Sequence, residues 1–182
     1  MSYHFDDKVC MITGAASGIG RATALKMSSL GARLSLSDIN AAGLEATKNL
    51  CKGEGHFVGE LDVSLSAACN AFVAATLEKL ERLDYVFNCA GVNPTAFALA
   101  DTTDDYWDKL VDTNLRGTYN VTRAVIPHLH AGAAIVNVSS VMGVTVAANY
   151  AIYCATKFGI VGFTKAMAME LGPKQIRVVR TL

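Results

Sequence analysis

The chain has 182 residues, of which 52% are hydrophobic and 18% are charged, and its formal net charge is zero. This length suits one domain with a substantial core, so we expect residues 1–182 to form a single domain. A neutral chain has no surplus of basic residues for nucleic acid or for an anionic membrane surface, so neither is expected as a partner.

Targeting, redox and metal signals are sparse. The first ten residues include Asp6, Asp7 and Lys8 without a preceding apolar segment, so no signal peptide is expected. No apolar run is long enough to span a membrane. The five cysteines are scattered without a CxxC pair, which is typical of reduced thiols and predicts a cytoplasmic protein. The four histidines have no partners at metal-ligand spacing, so no metal site is predicted.

The first predicted strand, 8–12, leads directly into a glycine-rich segment. Gly14, Gly18 and Gly20 lie in this segment, and residues 18–30 have the spacing of a helix. A strand, a glycine loop and a helix together place free N–H groups and the positive end of a helix dipole where a phosphate can bind. An ordinary strand–helix turn that needs glycine for its backbone angles is the alternative. The order of the elements favours nucleotide binding.

An acidic residue follows the second predicted strand, 32–37. Asp38 lies about 20 residues beyond the glycine loop, where a carboxylate can bind the ribose hydroxyls of NAD and repel the 2′-phosphate of NADP. Asp38 could also cap the helix that is predicted to begin near Asn40, and the two roles are compatible. We favour the ribose role because the glycine loop precedes it.

The rest of the chain alternates between strand-like and helical segments. Thr102 and Asp105 resemble a capping box at the start of the fourth helix, and Pro127 lies near its end. This alternation predicts an α/β fold with a doubly wound parallel sheet, whose ligands bind outside the carboxyl ends of the strands. The predicted strands are 8–12, 32–37, 55–59, 84–88, 133–138 and 176–180, and the predicted helices are 18–30, 41–51, 65–81, 103–129 and 151–171.

Tyr153 and Lys157 lie four residues apart on the fifth predicted helix. Residues at this spacing share one face of a helix, so a phenol and an ammonium group can meet there. A free tyrosine is a poor base at neutral pH because its pKa is about 10, and a nearby cation favours the phenolate. The pair is therefore a candidate acid/base device, although the same spacing is common on solvated helix faces.

These motifs together resemble the short-chain dehydrogenase/reductase family over almost the whole chain, from about Lys8 onward. In chain order the matching motifs are residues 13–20 (TGAASGIG) as the cofactor loop, Asp62 and Val63 as the adenine-contacting pair, residues 88–91 (NCAG) with a cysteine in the second place, Asn114 on the fourth helix, and Ser139 and Ser140 at the end of the fifth strand, followed by Tyr153 and Lys157.

The resemblance implies a catalytic tetrad. Tyr153 would transfer a proton, Ser140 would orient the substrate oxygen, Lys157 would hold the nicotinamide ribose and favour the phenolate, and Asn114 would anchor a water that links the lysine to solvent. Ser140 is preferred to Ser139 because the family's serine precedes the tyrosine by thirteen residues, as Ser140 does here. The implied cofactor-binding residues are Gly14, Ser17, Gly18, Ile19, Gly20, Asp38, Asp62, Val63, Asn88, Ala90, Gly91, Tyr153 and Lys157.

Single members of this set have simpler explanations. Ser140 could cap its own turn, Asn114 could mark a kink in the fourth helix, and Asp62 could cap a helix; their joint occurrence favours the site. The implied cofactor is NAD. Family members that use NADP often carry a basic residue just before the second loop glycine or just after the second strand, and Ser17 and Ile39 occupy these places here.

The resemblance also implies a difference at the end of the chain. Family members continue beyond the sixth strand into a Pro-Gly turn, a mobile segment that covers the substrate, another helix and a seventh strand. Here residues 179–181 stand where Asn, Ala and Pro-Gly are expected. The expected fold is therefore a C-terminally truncated, six-stranded Rossmann-like sheet without the final strand and substrate lid. The expected assembly is a homodimer through the fourth and fifth helices.

The function implied by the resemblance is NAD-dependent interconversion of a secondary alcohol and a ketone. The loops 92–97 and 141–146 are mostly apolar, which favours a small, largely apolar substrate. Two alternatives stay open: a non-redox enzyme that uses the same tyrosine for dehydration or cyclisation, and a non-catalytic partner that binds the cofactor.

Overall fold

The structure is a computed structural model that describes residues 4–92 and 94–182. Its parallel strands form one sheet in the order β3-β2-β1-β4-β5-β6, which confirms the predicted six-stranded, doubly wound α/β fold. The strands are β1 Val9–Thr13, β2 Arg33–Asp38, β3 Phe57–Glu60, β4 Tyr85–Asn88, β5 Ala134–Val138 and β6 Arg177–Thr181. All predicted strand boundaries lie within two residues of these.

Five helices flank the sheet in the described part of the chain, in addition to short 3₁₀ turns. Helices α1 (Gly18–Ser29), α2 (Ala41–Leu50), α3 (Ser66–Leu80) and α5 (Ala151–Leu171) match their predicted boundaries closely. Helix α4 consists of three consecutive segments, Asp104–Leu110, Val111–Arg116 and Gly117–Val125. In the described residues no helix has both the length and the apolar character that crossing a bilayer requires.

Strand β1 explains why the sheet has helices on both faces. All five of its residues are buried, and because successive side chains point to opposite faces, Met11 packs in the core beneath α3, α4 and α5 whereas Ile12 packs in the core beneath α1 and α2. The chain order reverses between β1 and β4, which are neighbours in the sheet. In such a sheet this switch point is where ligands bind.

Helix α4 differs from the single regular helix that the sequence predicts. Its middle segment, Val111–Arg116, is a π-helix. Its N-cap is Thr103, whose side chain accepts from the N–H of Tyr106 at 3.2 Å, so the predicted capping box at Thr102 is wrong by one residue. Thr102 instead donates its hydroxyl to the carbonyl of Leu99 at 2.7 Å and closes the preceding 3₁₀ turn.

A charged cluster lies at the amino edge of the sheet, opposite the switch point. The carboxylate of Asp84 accepts from the N–H of Val9 at 2.9 Å and from two guanidinium nitrogens of Arg82 at 2.8 and 2.6 Å. Lys8 and His130 lie within 3.7 and 3.1 Å of it. Burial opposes ionisation of Asp84, but these bonds and cations outweigh it and lower the pKa of the carboxyl.

Candidate active site

A cleft of about 850 Å³ lies at the carboxyl ends of the strands. It brings together three regions that are far apart in sequence: the glycine loop, the end of β2 and the face of α5 that carries Tyr153 and Lys157. The predicted site residues that line it are Gly14, Ser17, Gly18, Ile19, Gly20, Asp38, Asp62, Val63, Ala90, Gly91, Ser140, Tyr153 and Lys157. Two predicted residues, Asn88 and Asn114, are buried and do not appear among the lining residues.

The glycine loop is compact for a steric reason. Gly14 has a φ of 68°, and a Cβ added there would lie 2.9 Å from the backbone of Ala90. A Cβ on Gly20 would overlap the carbonyl of Gly14. The loop then enters α1 at Ser17, whose side chain makes no capping bond, and the first turn of α1 has no acidic residue. This leaves the helix N-terminus open to an anion.

The second region is the end of β2. Asp38 accepts from the N–H of Ala16 at 3.1 Å and from the N–H of Asn40 at 3.0 Å. The cap of α2 is Asn40, which accepts from the N–H of Gly43 at 2.9 Å, so Asp38 is not itself the helix cap. The carboxylate therefore contacts the glycine loop directly.

Asp62 performs a local structural role as well as lining the cleft. Its carboxylate accepts from the N–H and the hydroxyl of Ser64 at 2.9 and 2.7 Å, which shapes the turn before α3. The carbonyl of neighbouring Val63 accepts from the amide of Asn120 at 2.9 Å. These bonds fix the part of the cleft wall that residues 62–64 form.

The loop after β4 is bound to the end of β1. Thr13 accepts from the N–H groups of Cys89 and Ala90 at 3.1 and 3.0 Å. Burial raises the pKa of the Cys89 thiol, although the nearby Lys157 cation opposes the shift. Asn88 donates to Thr122 and Asn137 at 3.1 and 2.9 Å and is 4% exposed. Asn88 therefore ties the sheet together below the cleft.

Lys157 is a buried cation that lines the cleft. It is only 6% exposed, and its Nζ donates to the carbonyl of Val138 at 3.1 Å and lies 5.6 Å from the ring centre of Tyr153. Burial lowers the pKa of Lys157. The predicted meeting of the two side chains on one helix face is present in the structure.

The two serines at the end of β5 have different surroundings. Ser139 is 4% exposed and donates to the carbonyl of Lys157 at 3.0 Å. Ser140 accepts from the N–H of Met142 at 3.1 Å and thus caps its own turn, but it is less buried and also lines a second pocket. Both serines line the cleft, but only Ser140 also lines the second pocket.

Asn114 lies inside the π segment of α4. Its side-chain oxygen accepts from the N–H of Val92 at 2.8 Å, and its side-chain nitrogen donates to the carbonyl of Val92 at 3.2 Å. Its own carbonyl accepts from the hydroxyl of Thr118 at 3.0 Å. The irregular helix and the loop after β4 are thereby joined, and both polar atoms of the Asn114 side chain are bonded to Val92.

The second pocket, of about 430 Å³, shares Ser140, Val141 and Tyr153 with the cleft. Its other lining residues are mostly apolar, and none carries a charge: Pro94, Met142, Thr145, Val146, Ala147 and Tyr150. Tyr153 thus lies between a polar cleft suited to a nucleotide and a pocket suited to an apolar molecule. Proton exchange with an oxygen atom held at this junction is the chemistry that such a tyrosine can perform.

Comparisons with known proteins agree with this arrangement. Residues 8–181 match the family model for short chain dehydrogenases. A short-chain dehydrogenase/reductase ABA4 from Pyricularia oryzae is 38% identical over 177 residues, covering 94% of this chain and 66% of that protein. The chain thus spans about two thirds of the length of this relative.

The chain is also similar to solved structures of reductases. The crystal structure of a levodione reductase has a TM-score of 0.92 and 35% identity, over 97% of this chain and 71% of that one. A 3-ketoacyl-(acyl-carrier-protein) reductase from Brucella melitensis, solved with NADH, has a TM-score of 0.91 and 34% identity, over 97% of this chain and 75% of that one. The chain therefore belongs to the short-chain dehydrogenase/reductase family.

Proposed function

We propose that this chain is an NAD-dependent oxidoreductase that interconverts a secondary alcohol and a ketone on a small, largely apolar substrate. The observation that carries the proposal is the position of Tyr153, which lines both the nucleotide-sized cleft and the apolar pocket. Lys157 lies over its ring and Ser140 lines the same two cavities. A proton donor, an orienting hydroxyl and a cation thus meet where a substrate oxygen would lie.

NAD fits the residues of the cleft. The open N-terminus of α1 would take the pyrophosphate, Asp38 would accept from the hydroxyls of the adenosine ribose, and Lys157 would donate to those of the nicotinamide ribose. When bound, the cofactor supplies or accepts the hydride. The similar Brucella melitensis reductase was solved with NADH, which supports this choice. Ser17, just before the second loop glycine, and the 69% exposed Ile39, just after the second strand, leave no cation at the two positions where a 2′-phosphate would be recognised.

In the direction of ketone reduction, Tyr153 donates its proton to the ketone oxygen as the carbonyl carbon becomes a carbinol carbon. Ser140 donates a hydrogen bond to the same oxygen and holds it near the phenol. The Lys157 cation stabilises the phenolate that remains. Asn114 holds Val92 and so shapes the loop between the cleft and the second pocket. Alcohol oxidation runs through the same groups in reverse.

We also propose a homodimer through α4 and α5, in the cytoplasm. Both helices carry large apolar side chains at the surface: Trp107 and Tyr119 of α4 are 49% and 42% exposed, and Phe158 and Met169 of α5 are 43% and 81% exposed. Burial of such side chains favours association. The five cysteines are all unpaired, which suits a reducing compartment. Mass measurement in solution tests the dimer.

The proposed function is tested by calorimetric titration with NADH and NADPH, followed by NADH-consumption assays with a panel of uncharged cyclic and open-chain ketones. We expect NADH to bind more tightly and at least one apolar ketone to be reduced. Asp38→Ala should narrow the difference between the cofactors by about tenfold, because one like-charge contact with the 2′-phosphate is lost. Equal or tighter NADPH binding by the wild-type protein would contradict the cofactor assignment.

A further inference from the structure

Arg21 directly follows the glycine loop, yet its guanidinium is turned away from the cleft. Its Nε donates to the hydroxyl of Thr47 on α2 at 2.9 Å, and Nη2 donates to the carbonyl of Ala16 in the loop. Thr47 is fully buried, and its hydroxyl proton is shared between the carbonyl of Ala15 at 2.9 Å and the carbonyl of Gly43 in its own helix at 3.0 Å. One arginine and one threonine thus connect α1, α2 and the first half of the loop.

The loop residues Ala15 and Ala16 are consequently bonded at all four of their backbone polar groups. The N–H of Ala15 donates to the carbonyl of Ser37 at 3.0 Å, and the N–H of Ala16 donates to the carboxylate of Asp38 at 3.1 Å. Their two carbonyls accept from Thr47 and Arg21. Buried backbone that is fully paired has little freedom to shift.

Helix α2 also packs directly against the same two residues. A Cβ added to Gly43 would lie 2.8 Å from the Cβ of Ala16, so the absence of a side chain at Gly43 permits this approach. Ala15 and Ala16 are 0% and 3% exposed. Any displacement of α2 relative to the loop therefore acts on Ala16 and, through its N–H, on the Asp38 carboxylate.

We propose that Arg21 and Thr47 form a clamp that positions Asp38 for the adenosine ribose and so helps to select NAD over NADP. This inference rests on the proposed function. The clamp acts in two ways. It holds the Ala16 N–H, and therefore Asp38, in place, and it engages the cation nearest the loop in sequence so that this cation cannot neutralise a 2′-phosphate. Arg21 is a positioning residue and touches neither substrate nor reacting atoms.

The clamp predicts a specific pattern of effects. Loosening it should weaken the adenosine half of the cofactor site, while Tyr153 and Lys157 on α5 keep their geometry. Binding of NADH and of ADP-ribose should therefore weaken together, and kcat at saturating cofactor should stay unchanged. NADPH binding should weaken less than NADH binding, because a displaced Asp38 repels the 2′-phosphate less and a released Arg21 attracts it.

The experiment titrates NADH, NADPH and ADP-ribose into Arg21→Lys, Thr47→Val and the double variant, with a thermal melt of each. Lysine keeps the charge but cannot donate to both partners from a planar fork, and valine keeps the shape of threonine without its hydroxyl. We expect each single variant to bind NADH and ADP-ribose about tenfold more weakly. The double variant should be no weaker than the worse single variant, because one clamp is broken only once.

Two controls separate positioning from general loss of stability. Thr47→Ser restores a hydroxyl and should recover affinity, and Lys26→Gln on the exposed face of α1 should bind as the wild type does. If Arg21→Lys does not fold, the NADH and ADP-ribose affinities of Thr47→Val and Thr47→Ser are sufficient to test the clamp. Wild-type affinity and NADH preference in folded Thr47→Val would overturn the clamp. A wild-type protein that binds no NADH would instead overturn the proposed function.

Discussion

The parallel sheet buries one charged side chain at the amino ends of its strands, here called the amino edge, and one at their carboxyl ends, the carboxyl edge. The two side chains have different surroundings. At the amino edge, Asp84 receives hydrogen bonds from Arg82 and Val9 and lies beside Lys8 and His130. At the carboxyl edge, Lys157 donates to one carbonyl and lies over an aromatic ring, and no carboxylate pairs with it within residues 4–92 and 94–182.

The pKa of each group falls, and the causes differ. Partners lower the pKa of Asp84 by favouring its charged form, whereas burial lowers the pKa of Lys157 by disfavouring its charged form. The first edge thus holds a charge that stabilises the fold, and the second holds a charge that lowers stability. A destabilising buried charge is expected where function requires it.

The largest expected effect is on chemistry at the carboxyl edge. Tyr153→Phe removes the proton donor and leaves the ring over Lys157 in place. We expect kcat for ketone reduction to fall by about 10³-fold, while NADH affinity stays within about twofold of wild type. Tyr85→Phe, which alters a tyrosine at the start of β4, away from the cleft, is the control and should keep most activity. Substantial turnover by Tyr153→Phe would contradict the assigned role.

The next largest effect is on stability at the amino edge. Asp84→Asn should lower the free energy of unfolding by about 2–3 kcal/mol, because cations and donors that face the carboxylate lose its charge. Urea unfolding measures this, with exposed Glu54→Gln as the control that should change little. NADH affinity should be unaffected, since the cleft lies at the other edge.

The effect of Asp84 should also depend on pH. A carboxyl whose folded pKa is below its unfolded value contributes its stability above the unfolded pKa, which is about 3.9 for aspartate, and loses it as pH falls through the lowered folded pKa. The unfolding curves of wild type and Asp84→Asn should therefore converge in acid. A stability difference that persists unchanged to low pH would show that packing, rather than charge, is responsible.

The smallest effect should have the opposite sign. Lys157→Met replaces a buried cation by an apolar chain of similar length and should raise the free energy of unfolding by about 1 kcal/mol while activity is lost. The control is Lys165→Met at an exposed position of the same helix, which should change stability little. A loss of stability in Lys157→Met as large as that in Asp84→Asn would remove the contrast between the two edges.

The pH dependence sharpens this test. Since the folded pKa of Lys157 is lowered, its penalty is present below that pKa and is relieved as pH rises towards the unfolded value, which is about 10.4. The difference in the free energy of unfolding between Lys157→Met and the wild type should therefore become smaller at alkaline pH. A stability difference between Lys157→Met and the wild type that does not change with pH would instead indicate a packing effect.

Local signals explain what the sequence could predict. The strand, the glycine loop and the start of α1 are consecutive in the chain, so their order predicted the loop. Tyr153 and Lys157 share a helix face, but their spacing gained weight only from the other motifs and the family resemblance. The sequence offered Asn114 as a kink in the fourth helix, and the π segment Val111–Arg116 lies there. The hydrogen bond from Val92, 22 residues away, was not predictable from local spacing. The role of Arg21 was missed for the same reason, since Thr47 lies 26 residues along the chain.

Asn88 lies near the cleft, as its motif predicts, but its side chain does not line the cleft. Asn88 belongs to a motif beside the cleft, yet its amide bonds to Thr122 and Asn137 below it. Whether a side chain at a strand end faces the ligand or the core depends on its neighbours in the sheet. No pattern within the motif itself contains that information.

The most direct test of this account follows a hydride atom by atom. NADH deuterated at its transferable position is incubated with the protein and an apolar ketone that the protein reduces or binds, and the products are analysed by mass spectrometry. We expect an alcohol with one deuterium on the carbinol carbon, formed by the wild type and not by Tyr153→Phe. Bound NADH and ketone with no deuterated alcohol would contradict the assignment of this chain as a redox enzyme.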